Sequence, residues 1–253
     1  MNHKHNQHDV NPHSLSSTAT SPKPIDMADI TTVIFDVGGV LMYIHEFRVT
    51  VMKRVLLSRG YDKQQVEDVL AQLPDFEAAY FAQHGNVVDW ADEKQWLQTR
   101  CQFVAQQIIQ ASVLSRACDD VTALTDQLFM LSFDSPQYQL FDDTVPTLQR
   151  LFPRFSLNVL SNATASLDWS LDLAGIRPYF EHVVISAYEQ CEKPDDAIYH
   201  KALDRIGVMP SACVFIDDRI ENVEAARALG MQAYHLDRSQ AMTLSAFADT
   251  LLS

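Results

Sequence analysis

The feature that most constrains this chain is a set of short runs rich in β-branched and aromatic residues, each stopping at a polar residue. Thr31 to Asp36 (TTVIFD) packs β-branched and aromatic residues together and ends on an acid just ahead of Gly38 and Gly39. A run that is apolar on both faces suits a strand buried on both sides, as in a parallel sheet. The same design recurs at Phe155 to Ser161 (FSLNVLS), His182 to Ser186 (HVVIS) and Cys213 to Asp217 (CVFID), each followed by a polar turn and helical periodicity. Met231 to Leu236 is a fifth candidate strand. This alternation predicts an α/β fold with a doubly wound parallel sheet, and right-handed crossovers put helices on both faces. Ligands then belong at the carboxyl ends of the strands.

Between about His45 and Tyr138 the periodicity changes. Phe47, Val51 and Val55, then Phe103, Val104 and Ile108, then Val121, Leu124 and Leu128 fall at helical spacing, with no strand-like run between them. The reading is an all-helical cap of three to five helices, inserted after the first strand and lying over the strand ends as a lid. Asp143-Thr144-Val145-Pro146 offers an N-cap and a first-turn proline, so a core helix is expected from there to about Phe152. The predicted organisation is a disordered tail at 1–28, an α/β core at 29–44 and 139–253, and the cap at 45–138. The tail has too little apolar content to order itself. Its His3, His5, His8 and His13 are metal-ligating types, but a solvated low-complexity segment accounts for them, and Met27 is an alternative start.

The formal charge of −14 disfavours nucleic acid and anionic membrane surfaces as partners. It also opposes a phosphorylated substrate, which must then be captured by a local cation and aimed backbone amides. Cys101, Cys118, Cys191 and Cys213 show no paired spacing and no matching histidines, which argues against zinc and reads as reduced thiols. The sequence has no apolar stretch of signal-peptide type and no run long enough to cross a membrane, so a cytoplasmic location is expected. Nothing in it fixes an oligomeric state.

Four strand-end features carry chemistry. Asp36 precedes Val37, Gly38 and Gly39, where the backbone can turn so that successive amides face an anion; an ordinary turn is the simpler alternative. Ser161 and Asn162 offer a hydroxyl and an amide to phosphate oxygens, or else supply plain turn chemistry. Lys193, ahead of Pro194 at a helix start, brings a point charge to the sheet ends, unless it is simply solvated. Asp217 and Asp218 end an apolar strand together, which is costly without a cation or hydrogen bonds; hard oxygen ligands suit magnesium, and an N-cap beside a solvated acid is the alternative.

As an ordered set, with the wording "KPD…IY" and "IDD…N…A…LG", these residues resemble the haloacid dehalogenase-like hydrolases from about Thr31 to Leu236. The resemblance implies a Rossmann-like core with Asp36 as nucleophile toward phosphorus, forming an aspartyl-phosphate that water hydrolyses. It implies Mg²⁺ held by Asp36, the Gly38 carbonyl and Asp218, with Asp217 acting directly or through water and Asn222 bracing that loop. Ser161, Asn162, Lys193 and the amides of Val37 and Gly38 would hold the phosphoryl group. The substrate would be a small phosphorylated metabolite, with a sugar phosphate favoured.

One position departs from the family's phosphatase pattern. Gly38 stands where most such enzymes carry a second Asp as general acid, a loss worth typically 10²–10⁴-fold with poor leaving groups. The preferred reading is a substrate whose leaving group needs little protonation, such as an anomeric sugar, acyl or aryl phosphate. A second is an acid from His45, Glu46 or His84. A third is a non-phosphate bond: a haloacid, or a phosphonate with Lys53, Lys63 or Lys94 as Schiff-base former. A binding or regulatory module on a weakened hydrolase core is the non-enzymatic alternative.

Overall fold

The computed structural model describes residues 29–112, 120–134 and 138–253. The expected tail, with its histidines and Met27, lies outside the described residues, as does Cys118. The chain runs β1 (Thr32–Phe35), β2 (Met42–Ile44), α1 (Arg48–Ser58), α2 (Lys63–Leu70), α3 (Leu73–His84), α4 (Trp90–Ala111) and α5 (Val121–Asp134). It continues through β3 (Tyr138–Leu140), α6 (Thr144–Leu151), β4 (Ser156–Ser161), α7 (Ser166–Leu173), β5 (His182–Ile185) and the single turn α8 (Ser186–Glu189). It ends with α9 (Asp196–Ile206), β6 (Cys213–Asp217), α10 (Ile220–Ala228), β7 (Gln232–His235) and α11 (Leu244–Leu252).

Five strands form a parallel sheet in the order β5-β4-β1-β6-β7. Side chains alternate across it, so β1 serves two cores at once. Val33 and Phe35 pack with Leu148 of α6, Leu171 of α7 and Phe247 of α11. Ile34 faces the opposite way, onto Ile198 and Ala202 of α9 and Val223 and Ala226 of α10. Phe215 on β6 shares this second face and is fully buried; truncating it to alanine would cost ~3–5 kcal/mol. Burial on both faces is why β1 and β6 are almost wholly apolar, while β4 admits the buried Asn158, whose amide group bonds to Ser156 and His182.

From the central β1 the chain builds one half of the sheet through β4 and β5, then returns to build the other through β6 and β7. The connections therefore diverge around the end of β1, which opens a crevice there. Asp36 follows β1 directly, Ser161 ends β4 and Asp217 ends β6. The order of strands thus sets three of the sequence's candidate residues side by side.

The five helices α1 to α5 lie between β2 and β3 and bury an apolar cluster of their own, including Met52, Leu56, Val104, Ile108, Leu124 and Leu128. Two details depart from the sequence reading. The helical stretch is entered and left through an antiparallel ribbon, β2 with β3, whose pairing of Ile44 with Tyr138 brings in a residue expected in the cap. Asp143 sits at the start of α6 without capping it. Its carboxylate instead accepts from the Leu244 amide at 2.7 Å and from Arg238 at 2.9 and 3.0 Å, stronger charge-assisted partners that tie α6 to α11. Pro146, the third helical residue, lies in the first turn as expected. Among the described residues no helix is long and apolar enough to cross a membrane.

Candidate active site

Lys193 is the hub. Its ammonium, nearly inaccessible to solvent, donates to Asp36 Oδ1 at 2.8 Å, to Asp217 Oδ2 at 2.7 Å and to the Leu160 carbonyl at 3.0 Å. These three contacts use all three of its protons. Ser161 Oγ donates to the same Asp36 Oδ1 at 2.8 Å. Asp217 is fully buried, and it also accepts from the Arg219 amide at 2.8 Å and from Asn222 Nδ2 at 3.0 and 3.1 Å. The Tyr199 hydroxyl in turn donates to the Asn222 carbonyl at 2.9 Å, so the lower face of the sheet props the loop after β6.

Asn162 does something the sequence does not suggest. Its amide donates to the Lys193 carbonyl and accepts from the Lys193 amide, both at 2.8 Å. Expected as a direct donor to substrate, it clamps the backbone of the lysine instead. Lys193 lies before Pro194, and the following helix begins at Asp196, capped by the Asp195 carboxylate at 2.9 Å from the Ala197 amide.

One carboxylate oxygen from each of Asp36, Asp217 and Asp218 lies within 4.8 Å of the others. Burial raises the Asp217 carboxyl above the ordinary carboxylate range against the opposing pull of Lys193. Burial, and then the charges of Asp36 and Asp217, push Asp218 up to about 6. Three carboxylates facing one ammonium leave two negative charges uncompensated when all are ionised. A divalent cation removes that surplus, and all-oxygen donors suit Mg²⁺ among the common ions. The residues present therefore fit such an ion. His235 Nε2, 2.9 Å from the Asp218 carbonyl, fixes the backbone that carries the third carboxylate.

The loop after Asp36 closes on itself. The amides of Leu41 and Met42 donate to the Val37 carbonyl at 2.9 Å, and the Gly39 amide donates to the Met42 carbonyl at 2.9 Å. The turn's own backbone bonds thus leave out the Val37 and Gly38 amides, the two expected to meet phosphoryl oxygens. Gly39 has φ of +75°, and a Cβ there would stand only 2.2 Å from Asp218 Oδ2, so both backbone and space demand glycine. At Gly38 a Cβ would meet nothing within 4 Å. The missing acid is therefore a matter of residue identity and not of crowding.

The proposed substitute acids are placed differently. His45 is exposed just after β2, and His84 stacks on Tyr80 with Nδ1 3.0 Å from the Tyr80 carbonyl. Glu46 is ion-paired to Arg54 at 3.0 Å. Lys53 is paired to Glu67 at 2.8 Å, while Lys63 and Lys94 are exposed. Sequence reading misses a second polar node altogether. Glu93 of α4, 2% exposed, accepts from the Ser166 amide at 2.6 Å and its hydroxyl at 2.7 Å, and Arg48 of α1 lies 3.7 Å away. A carboxylate from the inserted helices thus caps α7 of the sheet domain, doing what its local N-cap position, Ala165, cannot.

The haloacid dehalogenase-like hydrolase family matches residues 30–230, and the chain belongs to that family. It is a hydrolase by that membership. It is 30% identical over 168 residues to haloacid dehalogenase-like hydrolase domain-containing protein 3 of Bos taurus, covering 63% of this chain and 64% of that one. It is 32% identical over 103 residues to glyceraldehyde 3-phosphate phosphatase of Methanopyrus kandleri, covering 40% and 44%. The matches thus span less than two thirds of either relative. Among solved structures, the 2-haloacid dehalogenase of Pseudomonas syringae superposes with a TM-score of 0.60 at 21% identity, covering 88% of this chain and 98% of that one. The HAD phosphatase of Thermococcus onnurineus gives 0.53 at 20% identity, covering 88% and 98%. Both likenesses are of fold.

Proposed function

We propose that this hydrolase is a Mg²⁺-dependent phosphatase of small phosphorylated metabolites, sugar phosphates foremost. The observation that carries the reading is the Asp36–Lys193–Asp217 chain of short contacts with Asp218 alongside. Relatives named glyceraldehyde 3-phosphate phosphatase and fructose-1-phosphate phosphatase support it at the level of reaction class.

In this mechanism Asp36 is the nucleophile, oriented by the donors on its Oδ1. Its attack forms a carboxyl O–P bond while the P–O bond to the leaving group breaks, and the leaving oxygen takes a proton from water. A water molecule then attacks phosphorus, inorganic phosphate departs and the Asp36 carboxylate is regenerated. Ser161, Lys193 and the amides of Val37 and Gly38 hold the phosphoryl oxygens as charge develops on them. Asp36, Asp217, Asp218 and the Gly38 carbonyl would hold Mg²⁺, whose contribution when bound is to neutralise the phosphoryl group and the surplus carboxylate charge. Asn162 keeps Lys193 in register, and Asn222 and Tyr199 keep the loop of Asp217. Gly38 supplies no acid, so leaving groups that depart as stable anions are favoured.

The division into a core at 29–44 and 139–253 and a cap at 45–138 belongs to the same proposal, supported by the separate apolar cluster of α1 to α5. So does a cytoplasmic location, supported by Cys101, Cys191 and Cys213 as free thiols. A haloacid or phosphonate substrate is the second reading; Asp218 speaks for a cation and against a haloacid, while a phosphonate would need a Schiff-base lysine, and Lys53 is paired with Glu67 and Lys63 and Lys94 are exposed. The test is phosphate release from sugar phosphates and an aryl phosphate, with and without Mg²⁺, by wild type and Asp36→Asn. Turnover that needs both the ion and Asp36 is expected; turnover indifferent to either overturns the residue roles.

A further inference from the structure

The turn after Asp36 is held from outside as well as from within. Val40 and Leu41 are fully buried, so their carbonyls cannot turn to water and need partners inside the protein. The Leu41 carbonyl accepts from the Thr144 hydroxyl at 2.7 Å and from the Phe141 amide at 3.2 Å. The Val40 carbonyl accepts from Arg238 Nη2 at 2.6 Å, a partner 198 residues further along the chain. Within the turn, the amides of Val40, Leu41 and Met42 converge on the Val37 carbonyl at 3.3, 2.9 and 2.9 Å. With those amides committed inward and those carbonyls committed outward, the turn's own bonds leave the Val37 and Gly38 amides and the Gly38 carbonyl to meet a ligand.

Arg238 lies just past the end of β7 and uses its guanidinium in three ways. Nη1 donates to both Asp143 oxygens at 2.9 and 3.0 Å, Nη2 reaches Val40, and the guanidinium carbon sits 3.9 Å over the centre of the Phe141 ring. A guanidinium serving only as the counter-ion of Asp143 would present that carboxylate with a fork of two nitrogens. Here one nitrogen is diverted to the backbone of the turn that follows Asp36. Phe141 in turn leans on Tyr43 of β2, ring centres 5.1 Å apart, so the same side chain grips the foot of the ribbon through which the inserted helices are entered and left.

We propose that Arg238 is a positioning residue for the reaction at Asp36: by holding the Val40 carbonyl it sets the turn that aims the Val37 and Gly38 amides and the Gly38 carbonyl, and through Phe141 it ties that turn to the foot of the helical insertion. Its part in turnover rests on the phosphatase reading above; its part in aiming the Gly38 carbonyl is measurable without turnover.

The test compares the full-length wild type with Arg238→Met, which keeps an apolar chain on Phe141 but donates nothing, and with Arg238→Lys, whose single ammonium lacks the fork that serves Val40 and Asp143 together. Thr243→Ala is the stability control, because it removes the cap of α11, a bond of 3.1 Å from the Ala246 amide, and leaves the partner of Val40 in place. Two readouts are taken well below the Tm of every variant: kcat and KM for p-nitrophenyl phosphate in Mg²⁺, and the Mg²⁺ Kd of the substrate-free protein by titration calorimetry. Arg238→Met should lower kcat by ~10- to 100-fold, as a misaimed site does, with KM changed by less than ~3-fold. It should also weaken Mg²⁺ binding several-fold. Arg238→Lys should fall between Arg238→Met and wild type, and it carries both readouts if Arg238→Met does not fold. Thr243→Ala should lower Tm and leave both readouts at wild-type values. Wild-type kcat and Mg²⁺ Kd in the Arg238 variants, or a fall in kcat that Thr243→Ala shares, would overturn the positioning role and leave the phosphatase standing. If the wild type shows no Asp36-dependent phosphate release, the phosphatase reading falls, and an Mg²⁺ Kd unmoved by Arg238→Met then overturns the positioning role as well.

Discussion

The Lys193 ammonium stands 2.8 Å from Asp36 Oδ1, held there by a residue whose own side chain is spent on the lysine's backbone. Because the same ammonium also reaches Asp217 at 2.7 Å, one cation organises two carboxylates that would otherwise repel.

Lys193→Met should therefore cost both activity and stability. Loss of a charged donor at the transferred group predicts a fall in kcat of ~10²–10³. Leaving the buried Asp217 without its partner predicts destabilisation of ~3–5 kcal/mol by urea unfolding in metal-free buffer. Asn162→Ala should lower kcat while leaving the fold largely intact, since it loosens the lysine without removing its charge.

Gly38→Asp should raise kcat on simple alkyl phosphates by tens- to a hundred-fold, with little effect on aryl phosphates. The open space around a Cβ at this position makes the substitution sterically mild, and a positioned acid matters most where the leaving alkoxide is poor. Steady-state rates on a matched alkyl and aryl pair check this; an equal effect on both would contradict the leaving-group argument.

Asp218 gives a pH signature to the metal-free protein. Its carboxyl is raised from 3.8 to about 6, so the folded chain holds this proton more tightly than the unfolded one. The associated stability is fully present below about pH 4 and is lost as pH rises through about 6. Solvent screening of a half-buried group reduces the effect to ~1 kcal/mol. Asp218→Asn should thus stabilise the metal-free protein at pH 7.5 and do little at pH 4. Mg²⁺ should raise the Tm of wild type more at pH 7.5 than at pH 5, a difference the variant loses.

Glu93→Ala should destabilise the protein by ~1–2 kcal/mol, because it removes the cap of α7 across two parts of the chain. In a double-mutant cycle with Ser166→Ala the two effects should be partly non-additive, since both remove the hydroxyl bond while the bond from the Ser166 amide is lost only with Glu93. Additive effects by chemical denaturation would argue against a shared cap.

Much of the architecture is legible in the sequence because burial on both faces leaves no room for polar residues in Val33, Ile34, Phe35 or in Cys213 to Ile216. Asp36, Ser161 and Asp217 are legible as polar types where the apolar runs of β1, β4 and β6 stop, while Lys193 lies beyond the single turn that follows β5. What they touch is set by partners far along the chain. Asn162 has ordinary turn chemistry, and its partner lies 31 residues on. Glu93 sits one turn into α4 behind an Asp89 cap, the place of a solvated first-turn acid, and only Ser166, 73 residues away, makes it a buried one. The ribbon of β2 and β3 is too short at three residues a strand to leave a periodic signal. Asp143 has the right type at the right place for a cap, and a distant arginine outbids the local amides.

That ribbon has a consequence for how such a chain can change. Ile44 and Tyr138 face each other across two adjacent antiparallel strands, so their backbones are separated by only ~5 Å. Everything between them is threaded out and back through a single doorway. Excising those helices and closing the gap with a tight turn of a few residues leaves every strand of the parallel sheet uncut. Under the proposed function, selectivity is then open to exchange by transplanting one contiguous block, with Asp36, Ser161, Lys193 and Asp217 all lying outside it.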